Sequence, residues 1–124
     1  MGRILVKLKE RGIDKNTLAT STSDNGFNCA HHGFWGKGNG TYPINMYDNS
    51  IKIPAIFRHP ITIPAGIVTD IMVSQYDFMP TVLHYAGIDA EFQDNEKSPG
   101  HSFADALRGL EGAGNYMIVV YDEY

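Results

Sequence analysis

Between residues 24 and 50 the chain carries five of its 13 glycines and shows neither helical nor strand periodicity. Irregular connections of this length are uncommon in compact domains, and those that occur are usually either functional or disordered. The chain as a whole contains 43% apolar and 19% charged residues, a composition typical of an ordered globular protein. We therefore expect the loop at residues 24–50 to hold a functional site.

The length and charge of the chain argue against several classes of protein. Its 124 residues are enough for one domain or a piece of one, but not for two independent cores. The 14 acidic and 10 basic side chains give a net charge of −4, which argues against a nucleic-acid surface. The longest apolar stretches, such as residues 117–121, are far shorter than the roughly 20 residues of a membrane span.

The sequence leaves the cellular compartment open. Its first residues intersperse charged and apolar side chains, whereas a signal peptide has an uninterrupted apolar core. Cys29 is the only cysteine, so an internal disulfide is excluded and the redox compartment stays undetermined. We expect neither nucleic acid nor a membrane as a partner.

The first half of the chain predicts a helix followed by two strands. Apolar side chains recur at helical spacing over residues 3–11, and Gly12 follows as a left-handed stop. Residues 17–22 are rich in β-branched side chains and predict a strand that ends in the loop. Residues 51–57 predict a second strand, in which Pro54 favours an edge or a bulge.

The second half predicts two helices and a last strand. An apolar stripe over residues 77–86 indicates a helix, with Asp77 as its N-cap. A second short helix is capped by Ser102 and ends at Gly109. The continuous apolar run at residues 116–121 is typical of a strand covered on both faces. This order of elements predicts an α/β fold.

Asp24 and Asn25 stand where the first predicted strand ends. Their side chains offer one charged and one neutral oxygen, the ligand type that calcium and magnesium prefer. On their own, Asp-Asn-Gly triplets are more often simple turns than metal sites. The metal site is therefore a hypothesis that depends on the rest of the loop.

Lys37 lies between two glycines, Gly36 and Gly38. The absence of two side chains allows the backbone and the ammonium group to approach a small anion closely. The segment is not a nucleotide P-loop, because Gly38 stands where that motif needs Ser or Thr. A solvated surface lysine is the ordinary alternative.

Six short motifs follow one another along nearly the whole chain. They are Thr22-Ser23-Asp24-Asn25-Gly26, His32-Gly33-Phe34-Trp35-Gly36-Lys37-Gly38, Ile53-Pro54, Val73-Ser74-Gln75-Tyr76-Asp77-Phe78-Met79-Pro80-Thr81, Ala86-Gly87-Ile88 and Pro99-Gly100-His101-Ser102-Phe103. In this order and spacing they resemble the C-terminal half of the formylglycine-dependent sulfatases, a family of the alkaline phosphatase superfamily.

The resemblance implies a fold, a cofactor and site residues. Residues 1–124 would be the C-terminal portion of a sulfatase catalytic domain whose N-terminal half is absent, with a mixed sheet and flanking helices. Asp24 and Asn25 would bind calcium or another divalent cation. Lys37 would contact the sulfate oxygens, and His32 would contact the substrate, although an exposed loop histidine is the ordinary alternative. The intact parent would hydrolyse a small sulfate ester or a sulfated sugar.

The family's nucleophile has no counterpart in this chain. It is a hydrated formylglycine made within a Cys/Ser-x-Pro/Ala-x-Arg motif, and Cys29 is followed by Ala-His-His-Gly instead. Two alternatives to a sulfatase fragment stay open at this point. One is a fragment of a phosphonate or phosphate monoester hydrolase, and the other is a non-catalytic truncated or partner chain.

We predict that the purified 124-residue chain binds calcium weakly and hydrolyses no sulfate ester. Asp24 and Asn25 supply two oxygens where calcium takes 6 to 8, and both Lys37 and a bound cation are electrophiles that cannot attack sulfur. Calorimetric titration with calcium and an assay with a chromogenic aryl sulfate check the two parts. Turnover by the purified chain would contradict the second.

Overall fold

The computed structural model describes residues 1–88 and 100–110. The chain divides into two compact units, Met1–His59 and Pro60–Tyr124. The strand predicted at residues 116–121 lies outside the described residues, and so does nearly all of the polar loop that precedes Gly100.

The first unit begins with helix α1 (Gly2–Glu10), which confirms the helix predicted at residues 3–11. Leu5 and Leu8 on its apolar face are half-buried, whereas Ile4 is 63% exposed. Gly12 has a φ of +68°, a left-handed conformation that glycine adopts without steric cost. The helix therefore ends where the sequence predicts.

Four short strands and a second helix follow in the described part of this unit. In chain order they are β1 (Ala19–Ser21), β2 (Asn28–Cys29), β3 (Trp35–Gly36), α2 (Asp48–Ile51) and β4 (Ile56–Arg58). β1 pairs with β4 and β2 pairs with β3, both antiparallel. The strand predicted at residues 17–22 is thus confirmed in a shorter form.

The prediction of a strand over residues 51–57 is wrong in its first half. Ile51 ends helix α2, and strand β4 begins only at Ile56. Pro54 lies between them and has no backbone N–H to donate to a sheet. The chain therefore enters the sheet only after the proline.

In the second unit, helix α3 (Phe78–Tyr85) confirms the helix predicted at residues 77–86. Asp77 stands at the N-cap position of α3, as predicted, but its side chain makes no capping hydrogen bond to that helix. It belongs instead to a 3-10 turn at Gln75–Asp77 that Ser74 caps. The Asp77 carboxylate accepts a hydrogen bond from the Ser74 N–H at 2.7 Å. The two side chains form a reciprocal capping box.

Helix α4 (Ala104–Leu107) packs against α3 within the second unit. Thr81 of α3 is fully buried, and its hydroxyl accepts a hydrogen bond from the Phe103 N–H at 3.0 Å. The N-cap of α4 is Phe103 rather than the predicted Ser102, which precedes it and accepts a hydrogen bond from the Ala104 N–H at 3.2 Å. The other Asp77 oxygen accepts one from the His101 N–H at 2.8 Å, so this carboxylate joins the start of α3 to the segment before α4.

These helices and two small antiparallel sheets are compatible with part of an α/β fold, the class that the sequence predicts. Within residues 1–88 and 100–110, no helix is both long enough and apolar enough to cross a membrane.

We expect Asp77→Asn to lower the free energy of unfolding by about 1–3 kcal/mol, because an amide has one acceptor oxygen where the carboxylate serves two backbone N–H groups. Urea denaturation followed by circular dichroism measures the loss. Asp105→Asn is the matched control, since among the described residues the Asp105 side chain makes one exposed 3.0 Å ion pair, with Arg108, worth about 0.5 kcal/mol or less. Equal losses in the two variants would contradict this role of Asp77.

Candidate functional site

A β-hairpin places the Asp24–Asn25 turn and Lys37 at the same end of its two strands. Strands β2 and β3 pair Asn28 with Gly36 and Cys29 with Trp35. Because the pairing is antiparallel, the chain before β2 and the chain after β3 leave the hairpin at the same open end. Asn25 lies just before β2, and Lys37 directly follows β3. The hairpin therefore places these two residues at its open end.

Asp24 and Asn25 form a turn after strand β1. Asp24 is exposed, and its Oδ1 accepts a hydrogen bond from the Ser23 hydroxyl at 3.2 Å. Asn25 is half-buried, and its Nδ2 donates to the Gly26 carbonyl at 2.8 Å. This bond uses the amide nitrogen of Asn25, which leaves its Oδ1 as the atom suited to a cation.

Lys37 presents an exposed side chain between Gly36 and a 3-10 turn at Gly38–Gly40. Its carbonyl accepts a hydrogen bond from the Gly40 N–H at 2.8 Å, which holds the backbone of the lysine in the turn. In the described part of the chain, no carboxylate lies within ion-pairing distance of the Lys37 ammonium. The ammonium is thus available to an anion from outside the described residues.

His32 lies at the opposite, closed end of the hairpin. The turn at His31–Gly33 contains left-handed backbone at His32, with a φ of +54°. The imidazole ring stacks on Tyr47, with ring centroids 4.0 Å apart and an interplanar angle of 17°. His32 thus lies in the turn that closes the hairpin, and its ring is held against an aromatic partner.

Residues 45–50, which we call the inner segment, contact both parts of the site. The Gly26 N–H donates to the Ser50 carbonyl at 3.0 Å, and the Asn45 N–H donates to the Gly38 carbonyl at 3.1 Å. A methyl group at Gly26 would overlap the Asn49 backbone, and one at Gly38 would overlap the Asn45 carbonyl. Glycine is needed at both positions because the backbones approach so closely.

Three buried polar side chains form a network beneath these contacts. The Asn28 amide donates to Ser50 Oγ and to Asn45 Oδ1, and the Ser50 hydroxyl donates to the same Asn45 oxygen. Asn28 is fully buried, and Asn45 and Ser50 are nearly so. Asn28 Oδ1 has no hydrogen-bond partner among the described residues. Buried groups of this kind impose a particular geometry, because an unmade hydrogen bond in the interior is costly.

A cavity of about 480 Å³ opens beside Asn25. Asp48 and Lys52 of the α2 region also line it, and they form a 2.6 Å ion pair with each other. Both side chains are largely exposed. The lining thus combines the Asn25 amide, a carboxylate and an ammonium group with the apolar residues Phe27, Ile53 and Pro54.

Sequence patterns single out Asp24, Asn25, His32 and Lys37, but not Asn28, Asn45 or Ser50. Asn and Ser occur commonly in loops and turns, so their presence there carries no signal of burial. The Cβ-free positions Gly26 and Gly38 are the one indication in the sequence that something approaches the loop closely. In the parts of the chain that the structure describes, no three His, Cys, Asp or Glu side chains form a metal-binding cluster.

Comparison with known proteins assigns the chain to a family. Residues 31–124 match the family described as N-sulphoglucosamine sulphohydrolase, C-terminal. The chain is 35% identical to an N-acetylglucosamine-6-O-sulfatase of Bacteroides thetaiotaomicron over 72% of its length. It is 37% identical to an endo-4-O-sulfatase of the same bacterium over 70% of its length, and 30% identical to human arylsulfatase D over 90%.

The chain spans only 15–20% of the length of these three relatives. The matches therefore concern one part of a much longer polypeptide. The family match covers most of the chain, and it falls on the C-terminal region that the motif order indicates. The chain belongs to the sulfatase family and corresponds to the C-terminal part of a sulfatase.

Proposed function

We propose that this chain forms one side of the active site of a domain that hydrolyses sulfate monoesters. The observation that supports this most directly is the open end of the β2–β3 hairpin, where Asn25 and the ammonium-bearing Lys37 emerge together in a member of the sulfatase family. The site supplies oxygen ligands from the turn before β2 and an ammonium group from the residue after β3.

In the proposed reaction, the Lys37 ammonium stabilises negative charge. Hydrolysis of a sulfate monoester breaks an S–O bond, and negative charge develops on the leaving oxygen while the sulfate oxygens stay anionic. A fixed ammonium stabilises that charge, and such groups are worth most where water is partly excluded. Lys37 has no nucleophilic part in this scheme. The attacking group is a hydrated formylglycine outside this chain, as the family resemblance implies.

Asp24 and Asn25 fit part of a calcium site. Calcium prefers carboxylate and amide oxygens and takes 6 to 8 of them, so these two residues need further ligands from elsewhere in the domain. A divalent cation there would offset the charge of the sulfate group. The role of this chain is to hold two of the oxygens at the hairpin's open end.

His32 contacts the substrate in this proposal, from the closed end of the hairpin. Its stacking on Tyr47 fixes the plane of the imidazole and so the direction of its ring nitrogens. We also propose that the described elements belong to an alkaline phosphatase-like fold with a mixed sheet, of which residues 1–124 are the C-terminal portion.

A sulfated sugar is the substrate class that the relatives favour. One of the three relatives compared is named for a sugar, N-acetylglucosamine, and the family description also names a sulphoglucosamine. Arylsulfatase and steryl-sulfatase relatives show that the same region also occurs in enzymes named for other esters. All of these names are sulfatases, which favours a sulfate over a phosphate or phosphonate ester.

The reading frame containing this chain, with any sequence that precedes Met1, should hydrolyse an aryl sulfate when expressed together with a formylglycine-generating enzyme. We expect turnover of 4-methylumbelliferyl sulfate to exceed that of the matching phosphate and phenylphosphonate by at least about tenfold, because the family's site stabilises a sulfuryl group. Preference for the phosphorus esters would establish the alternative hydrolase. No turnover of any ester would favour a non-catalytic chain.

In that enzyme, Lys37→Ala should lower kcat/KM for the aryl sulfate by about 10²–10³-fold, the usual cost of removing one preorganised electrostatic group. The kinetics are measured at saturating and at low substrate. Lys9→Ala is the control, because Lys9 lies on α1 and is solvent-exposed. A loss of less than threefold in Lys37→Ala would refute its role.

A further inference from the structure

We propose that Asn45 and Ser50, together with Asn28, are positioning residues that set the spacing between the Asn25 turn and Lys37. The catalytic consequence rests on the function proposed above, whereas the mechanical coupling does not. None of the three side chains needs to contact the substrate for this role. They act through the backbones of Gly26 and Gly38.

The first step is the contact with the Asn25 turn. Gly26 is buried and donates its N–H to the Ser50 carbonyl at 3.0 Å, and the Asn49 backbone leaves no room for a side chain there. Because Asn25 precedes Gly26 directly, a shift of Ser50 moves the backbone that carries Asn25.

The second step is the contact with the Lys37 turn. The Asn45 N–H donates to the Gly38 carbonyl at 3.1 Å. The Asn45 side chain donates to Thr41 Oγ1 at 2.7 Å, and the Thr41 hydroxyl is 3.1 Å from the same Gly38 carbonyl. Asn45 therefore holds the turn after Lys37 from both its backbone and its side chain.

The third step is the connection between the two contacts. Asn45 Oδ1 accepts hydrogen bonds from the Ser50 hydroxyl and from the Asn28 amide. Asn28 belongs to β2, so the network also ties the inner segment to the hairpin itself. Directional hydrogen bonds between buried groups fix distances more narrowly than apolar packing does.

A narrow spacing matters because catalysis depends steeply on geometry. A misplacement of about 1 Å can cost about 100-fold in rate. The network contains no titratable side chain, because Asn28 and Asn45 are neutral amides and Ser50 is a hydroxyl. The network therefore contributes to catalysis through geometry, and this contribution does not depend on the protonation of its own side chains.

Hydrogen exchange followed by NMR on the 124-residue chain tests the coupling without any assay of activity. In Asn45→Ala we expect the amides of Gly26 and Gly40 to exchange at least about tenfold faster, because both turns lose one shared support. The amides that pair β1 with β4 should be unchanged. Asn16→Ala is the matched control, since Asn16 is exposed and lies outside the loop, and it should alter neither turn.

Two outcomes would overturn the coupling. One is acceleration at Gly40 with none at Gly26, which would show that the turns move independently. The other is equal acceleration throughout β1 and β4, which would indicate general destabilisation only. If Asn45→Ala does not fold, Ser50→Ala takes its place, because it removes a single hydroxyl. The exchange rates of the Gly26 and Gly40 amides are then compared in the same way.

A double-mutant cycle in the active enzyme tests the catalytic consequence. Asn45→Ala should lower kcat/KM by about 10–100-fold, and adding it to Lys37→Ala should cause a smaller loss than it does alone, because the spacing between the Asn25 turn and Lys37 no longer matters once the ammonium is gone. Multiplied losses would overturn the positioning role. An enzyme without sulfatase activity would refute the proposed function, while the exchange experiment would still decide the coupling.

Discussion

The close approach of residues 45–50 to Gly26 and Gly38 is the contact on which the loop depends. Two glycine backbones lie against this inner segment so tightly that neither position has room for a methyl group. Each contact also carries a backbone hydrogen bond, to Ser50 in one case and from Asn45 in the other. A loop with little regular structure thus acquires a fixed shape from backbone contacts rather than from an apolar core.

The side chains beneath this contact explain why it is polar. Asn28, Asn45 and Ser50 are buried and are joined to one another by hydrogen bonds. Apolar side chains in their place would exclude water equally well, but they would leave the neighbouring backbone free to slide. The network suits a loop that must present Asn25 and Lys37 at a set separation.

In the second unit, too, a polar side chain holds two backbone segments together through hydrogen bonds. One carboxylate, that of Asp77, accepts backbone hydrogen bonds from Ser74 and from His101. The sequence predicts a cap at this place because Ser and Asp both favour helix starts. That prediction names Asp77, and the structure adds Ser74 as its reciprocal partner in a capping box.

Local sequence by itself determined helix α1 with its glycine stop, helix α3, the position of β1, and the motif order that marks a sulfatase. The helices and the strand depend on residues close together in the chain, where periodicity and turn chemistry are decisive, and the motif order is present in the sequence itself. Only the tertiary structure decided that Ile51 ends a helix, that His32 lies at the far end of the hairpin from Lys37, and that Asn28, Asn45 and Ser50 are buried together. Those outcomes depend on contacts between residues up to 22 positions apart, and an asparagine or serine in a loop has the same local preferences whether it becomes buried or stays in water.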